Sequence, residues 1–234
     1  MASNQVQTSP TEQGLPQAEL LAGVTQFGGL AGKFTPIGKV RDLYRRVQRS
    51  PEGFRLESLL NEMKVELRVP AADRARIPAT GPVVVVANHP YGVLDGLLLT
   101  VMLTRVRPDV KVLTNLLLHD VPELQQHCIF VDSPQADRPI ESNRKALREA
   151  LAWLRRGGML AIFPGGDVSQ WQMPMAQVID PEWSNTAVRL IRRTQATSLP
   201  VYFCGHNGVG FQLLGMIHPK LRSAFLLQEF LQQE

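Results

Sequence analysis

The chain has 234 residues, 44% of them hydrophobic, and carries 25 Lys and Arg against 21 Asp and Glu for a formal net charge of +4. That is enough apolar material for one full core, and the basic excess is not gathered into the Lys/Arg runs of a nucleic-acid arm, so no nucleic-acid partner is expected. No stretch approaches the roughly 18–20 apolar residues of a spanning helix. The N-terminal residues lack the basic and apolar regions of a signal peptide, and Cys128 and Cys204 fit neither a metal spacing nor a disulfide framework.

Residues 1–16 are polar and punctuated by Pro and Gly, which predicts a disordered tail. Residues 17–63 read as an N-terminal helical segment. Within it, 40–48 is amphipathic and basic, with Lys39, Arg41, Arg45, Arg46 and Arg49 around Val40, Leu43, Tyr44 and Val47. Such a helix packs on its own domain or lies at a lipid interface. A second helix is predicted over 51–63, opened by Ser50-Pro51. The alternation Val65-Glu-Leu-Arg-Val69 predicts an edge strand.

Val83-Val-Val-Val86 is too short and too β-branched for a helix and predicts a core strand. It breaks at the turn residues Asn88-His-Pro-Tyr-Gly92, and an apolar helix is expected over 96–106. Further strands are predicted over 110–114, 128–131, 159–163 and 199–204, with helices over 139–156, 184–195 and 219–233. Residues 170–183 read as a loop rich in Pro, Met and Trp, lying over the site or a membrane face. Strands alternating with helices predict an α/β domain with a largely parallel central sheet flanked by helices.

Three predicted strands end in glycine-rich polar turns: at His89, at Gly165-Gly166-Asp167 and at Gly205-His206-Asn207. If the strands are parallel, all three turns open on one edge of the sheet, where sites in α/β folds are built. His89 at a strand end, with Asp95 at the start of the next helix, has two readings. It is a turn histidine beside a helix cap, or a dyad in which the carboxylate holds one ring nitrogen and leaves the other as a general base. No G-x-S-x-G elbow and no Walker loop occur.

The stretch Asn88-His-Pro-Tyr-Gly-Val-Leu-Asp-Gly96 resembles the first motif of the glycerolipid (lysophospholipid) acyltransferase superfamily. It is most similar to the hemolysin-like, ornithine-lipid-type bacterial branch with Asn-His-Pro-x-Gly-x-x-Asp-Gly. Ile129-Phe-Val-Asp132, Phe163-Pro-Gly-Gly-Asp-Val-Ser169 and Leu199-Pro-Val-Tyr-Phe203 follow in the order of the later motifs. The resemblance implies a glycerol-3-phosphate acyltransferase-like domain over 64–234, one that ends soon after its last helix where relatives continue. It implies transfer of a fatty acyl group from acyl carrier protein or coenzyme A to a hydroxyl of a lysolipid, with His89 as base and Asp95 as its support. Asn88, Gly92, Gly165, Gly166, Asp167 and Asn207 would then bind substrate. No metal or other cofactor is implied, and a peripheral location on the cytoplasmic side of a membrane is. Two alternatives are a catalytically silent lipid- or acyl-carrier-binding protein of the same fold, and a cytosolic acyltransferase with a soluble acceptor.

The sequence departs from the superfamily at two places. Five residues, rather than the usual four, separate His89 from Asp95, as in the related branch, so the Tyr91-Gly92 turn must bulge. Gly165 stands where a glutamate is usual, and the acid falls at Asp167 without the basic residue that follows in phosphate-binding members. The second departure points to a head group that carries an amine rather than a bare phosphomonoester.

Overall fold

Four successive valines have no polar side to offer water, and the chain places them in the interior of a sheet. The computed structural model describes residues 36–49, 55–115, 122–131, 139–173 and 175–217. Its elements in order are α1 (Pro36–Gln48), α2 (Leu56–Glu62), α3 (Ala71–Arg74), β1 (Val83–Ala87), α4 (Val93–Thr104), β2 (Val110–Asn115), α5 (Pro122–Gln125) and β3 (Cys128–Val131). These are followed by α6 (Pro139–Arg155), β4 (Met159–Ile162), β5 (Gln170–Gln172), β6 (Gln177–Ile179), α7 (Thr186–Thr194), β7 (Thr197–Val201) and α8 (Val209–Ile217). Five strands form one parallel sheet in the order β3-β2-β4-β1-β7. β1 is thus flanked by β4 and β7, with Val85 opposite Ala161 on one side and Leu199 on the other.

Alternate residues of β1 serve opposite faces. Val83 and Val85 pack with Leu99 and Leu103 of α4. Val84 packs with Ala146, Ala150 and Leu154 of α6 and with Ala187 and Leu190 of α7. The outer side of α4 is covered in turn, where Leu94, Leu97, Leu98 and Val101 meet Leu43 and Val47 of α1 and Leu56 and Leu60 of α2. α4 is therefore enclosed on both sides, which is why its sequence is apolar around its circumference rather than striped. Leu43 and Val47 of α1 are turned inside the protein, being 3% and 1% exposed. Among the described side chains of this segment, Arg45, Arg46 and Arg49 are exposed and could meet lipid.

Several expectations are corrected. Residues 65–70 form no strand, although Val65 and Leu67 do turn to one side. That side lies on the α1–α2–α4 cluster, with no strand beside it to complete a ladder, and Glu66 and Arg68 pair with each other in solvent. The last strand runs from Thr197 to Val201 rather than over 199–204, and Pro200 is tolerated because β7 is a sheet edge. Helix α4 begins at Val93, three residues before the expected start. The supposed loop after β4 holds an antiparallel hairpin, β5–β6, with Trp171 opposite Val178. Helix α8 follows the Gly205–Gly208 turn, where no element was expected. The expected tail over 1–16, residues 17–35 and 50–54 of the helical segment, and the helix over 219–233 lie outside the described residues.

At the edge where β1, β2 and β4 begin, Arg107 ties them together. Its guanidinium donates to the carbonyls of Gly81 and Gly157 at 2.9 and 2.6 Å and forms a two-pronged ion pair with Asp109, with Nε at 2.6 Å from Oδ1. The pair raises the arginine's pKa and lowers that of Asp109. Arg107→Ala leaves two buried-edge carbonyls and a carboxylate without their donor, for an expected loss of about 2–3 kcal/mol. A point charge without the planar fork cannot replace it, so Arg107→Lys recovers less than half. Denaturant unfolding checks this; an unchanged midpoint in both variants contradicts the clamp.

Candidate active site at the carboxyl edge of the sheet

Because β4, β1 and β7 are adjacent and parallel, the turns that follow them meet at one edge. The central turn is built around Asp95. Gly92 occupies the N-cap of α4 with φ 70° and ψ −124°, a conformation that a side chain resists. The bulge turns the N–H groups of Tyr91 and Gly92 back onto Asp95 Oδ2, at 2.8 and 3.0 Å. The same oxygen lies 3.0 Å from His89 Nδ1. The extra residue between His89 and Asp95 is thus absorbed by a turn that adds two backbone donors to the carboxylate.

Asp95 is fully buried, and its Oδ1 has no hydrogen-bond partner. Loss of solvent pushes its carboxyl above the usual range, and the His89 interaction and the two N–H groups oppose the rise. The imidazole is held on a second side by Phe163, whose ring stacks on it at 4.1 Å and 23°. Its side chain remains 19% exposed. With Nδ1 hydrogen-bonded to a carboxylate, the proton of the neutral ring sits there and Nε2 is the acceptor nitrogen.

The remaining residues singled out in the sequence divide between framework and rim. The Asn88 amide accepts from the N–H of Phe203 at 2.7 Å and donates to its carbonyl at 2.9 Å, extending the β1–β7 pairing by a side chain. Gly165 packs against Asp180 and Pro181, and Gly166 turns the chain with φ +69°. Asp167 is exposed and accepts from the N–H of Val168 at 2.8 Å. Asn207 is buried, and neither of its side-chain polar atoms has a protein partner. His89, Asp95, Gly92 and Asn88 therefore stand together after β1, Gly165 to Asp167 stand after β4, and Asn207 stands after β7.

Sequence reasoning missed four residues here. Phe163 forms the wall under His89. Ser169 donates its backbone N–H to the His89 carbonyl at 2.9 Å. Asp180 accepts from the His89 N–H at 3.1 Å and from Ser169 Oγ, and Trp183 Nε1 donates to its other oxygen at 2.9 Å. The only signal for Asp180 and Trp183 was an acid and an aromatic in a loop thought to cover the site. A cleft of about 350 Å³ opens beside them, lined in part by Asn88, Ser169, Asp180, Trp183, Tyr202 and Gly205. Another hollow, of about 370 Å³, lies by α2 between Glu57, Lys64 and Arg105 and shares no residue with the turns. Among the described residues no group of three or more His, Cys, Asp or Glu converges as metal ligands would, and no helix is long and apolar enough to cross a membrane.

A family model described as Acyltransferase matches residues 68–204, more than half of the chain and the whole span from the approach to β1 through the end of the Phe203 contact. No curated protein matches the chain.

The β1 and β7 turns are fitted to each other through Tyr91, whose hydroxyl donates to the Cys204 carbonyl at 3.0 Å. A Cβ at Gly205 would fall 2.1 Å from that hydroxyl, and the residue has φ +91°. Gly205→Ala is expected to cost about 2–3 kcal/mol from strain and overlap together. In a Tyr91→Phe background the overlap is gone and only the strain of about 1 kcal/mol remains. Unfolding midpoints of the four proteins in the cycle measure this; purely additive effects contradict the contact.

Proposed function

The chain belongs to the acyltransferase family, and on that premise we propose that it moves a fatty acyl group from an acyl thioester, carried by acyl carrier protein or coenzyme A, to a hydroxyl of a lysophospholipid or lyso-aminolipid. The observation that carries this reading is the 3.0 Å contact between His89 Nδ1 and the buried Asp95 Oδ2. In the proposed reaction the acceptor oxygen attacks the thioester carbonyl while His89 Nε2 takes its proton. The resulting imidazolium is stabilised by Asp95. The tetrahedral adduct then collapses, the C–S bond breaks, and the departing sulfur takes the proton from Nε2 to leave as the free thiol. The chemistry needs no acyl-enzyme. Backbone N–H groups of the glycine turns after β4 and β7 are the candidates for stabilising the oxyanion.

Asp95→Asn separates catalysis from folding. The amide oxygen can still accept from the Tyr91 and Gly92 N–H groups and from His89 Nδ1, but the negative charge that stabilises the imidazolium is gone. Turnover is expected to fall about 10²–10⁴-fold, as for His89→Ala. Stability moves the other way. The folded-state pKa of Asp95 is raised, so this carboxyl favours folding most in acid, below its unfolded value, and that contribution is lost as pH rises through the folded value. The thermal midpoint of Asp95→Asn relative to the parent is therefore expected to be higher at about pH 8 than at about pH 4. Undiminished acyl transfer in either variant contradicts the dyad, and a midpoint difference of opposite trend contradicts the burial penalty. A silent binding protein of the same fold shows no turnover at all.

For the acceptor we infer an amine-bearing head group, as in a lyso-ornithine lipid. Asp180 is the one charged side chain among the residues that line the cleft, and Trp183 and Tyr202 are 49% and 76% exposed beside it. Aromatic faces and a carboxylate favour a cation over a phosphomonoester. Peripheral contact with the cytoplasmic side of a membrane, through the basic face of α1, would bring the site to such a lipid. Turnover of lyso-ornithine lipid is expected to exceed that of lysophosphatidic acid in the same anionic vesicles, with the protein co-sedimenting. A preference for lysophosphatidic acid sinks the head-group reading, and full activity without co-sedimentation favours a soluble acceptor.

A further inference from the structure

Asp180 stands 91 positions from His89 in sequence, yet its carboxylate gathers three donors from three segments. Oδ1 accepts from the backbone N–H of His89 at 3.1 Å and from the hydroxyl of Ser169. Oδ2 accepts from Trp183 Nε1 at 2.9 Å. Its own carbonyl accepts from Gln172 Nε2 at 3.1 Å, which fixes it to the first strand of the β5–β6 hairpin. Ser169 closes a ring by donating its backbone N–H to the His89 carbonyl. The main chain of His89 is therefore held at its N–H by Asp180 and at its carbonyl by Ser169, and these two residues hold each other.

We propose that Asp180 is a positioning residue for the general base, working through the His89 backbone and coupling the β5–β6 hairpin to the aim of the imidazole. Three constraints orient the His89 ring: the Asp95 contact at Nδ1, the Phe163 face, and the course of its own main chain. The first two can act only while the third presents the ring to them. Without the carboxylate, a half-buried N–H at the strand end loses its acceptor, Ser169 Oγ loses its partner, and only the Ser169 N–H still ties the hairpin to His89. The three donors are neutral groups, so the role needs an acceptor oxygen rather than a negative charge. This makes an amide a partial substitute. In Asp180→Asn the amide oxygen can still face His89 and Ser169, but its nitrogen opposes the Trp183 indole N–H. Trp183→Phe removes that opposition.

The test reads His89 directly and then its chemistry. In protein labelled with ¹⁵N-histidine, the Nδ1 proton of His89, assigned by its disappearance in His89→Ala, is expected to be protected from solvent exchange by the Asp95 contact. Protection is expected to be lost in Asp180→Ala and retained in Asp180→Asn/Trp183→Phe. Retained protection in Asp180→Ala overturns the proposal, as does its loss in the double variant. If Asp180→Ala does not fold, Asp180→Ser takes its place, one atom too short to serve all three donors, with the same loss expected. This measurement stands whether or not the acyl-transfer reading does. The kinetic arm rests on that reading: kcat falls about 10²-fold in Asp180→Ala and is mostly recovered in the double variant, whereas KM for the amine-bearing acceptor rises in both because both lack the carboxylate. A rise in KM at unchanged kcat would leave Asp180 a substrate-binding group alone and overturn the positioning role.

Discussion

A carboxylate with no exposed surface must be compensated from within, and Asp95 is compensated by a single turn. The two N–H groups that reach its Oδ2 come from Tyr91 and Gly92, and they can do so only because Gly92 adopts a backbone conformation that other residues resist. The third interaction on that oxygen is the His89 ring. Burial works against the ionised form and these contacts work for it, the His89 interaction more than the two N–H groups. The same arrangement starts helix α4, the element enclosed between the sheet and the N-terminal helices. Site and core are therefore not separable at this point of the chain.

Strand order supplies the rest. With β1 between β4 and β7, the segments after those strands are the immediate neighbours of the His89 turn, and each is fastened to it. Asn88 reaches Phe203, Tyr91 reaches Cys204, and Ser169 and Asp180 reach the His89 backbone. The opposite edge is fastened by Arg107, which joins the starts of β1, β2 and β4. Framework stability and site geometry thus have different anchors at opposite ends of one sheet, which allows one to be altered while the other is watched.

How much of this was legible in the sequence depended on how local the cause was. The valine run, the glycine stops and the His–Asp spacing are local signals, and they led to a parallel sheet and a three-turn edge. The alternation at 65–69 misled because extended backbone and sheet pairing are separate matters: Val65 and Leu67 found a helical surface rather than a strand. β7 was displaced because Tyr202 and Phe203 look strand-like, yet the ladder ends at Val201 and Phe203 is held by the Asn88 side chain instead. Asn88 read as a substrate contact, and its amide is occupied by backbone. Asp180 was invisible because nothing near it in sequence announces its partners. The β5–β6 hairpin that carries it is three residues to a strand, too short for periodicity to register.

Family membership defines the class of chemistry, and the buried pair supports one route through it: direct transfer with His89 as base and no acyl group resting on the protein. Rapid quenching after mixing the protein with an acyl thioester labelled in its acyl carbon, first without and then with a lysolipid acceptor, tests that route most directly. The expected result is no label on the protein and no free thiol until the acceptor is added, followed by thiol and acylated lipid in equal amounts. A burst of thiol with labelled protein in the absence of acceptor would contradict it.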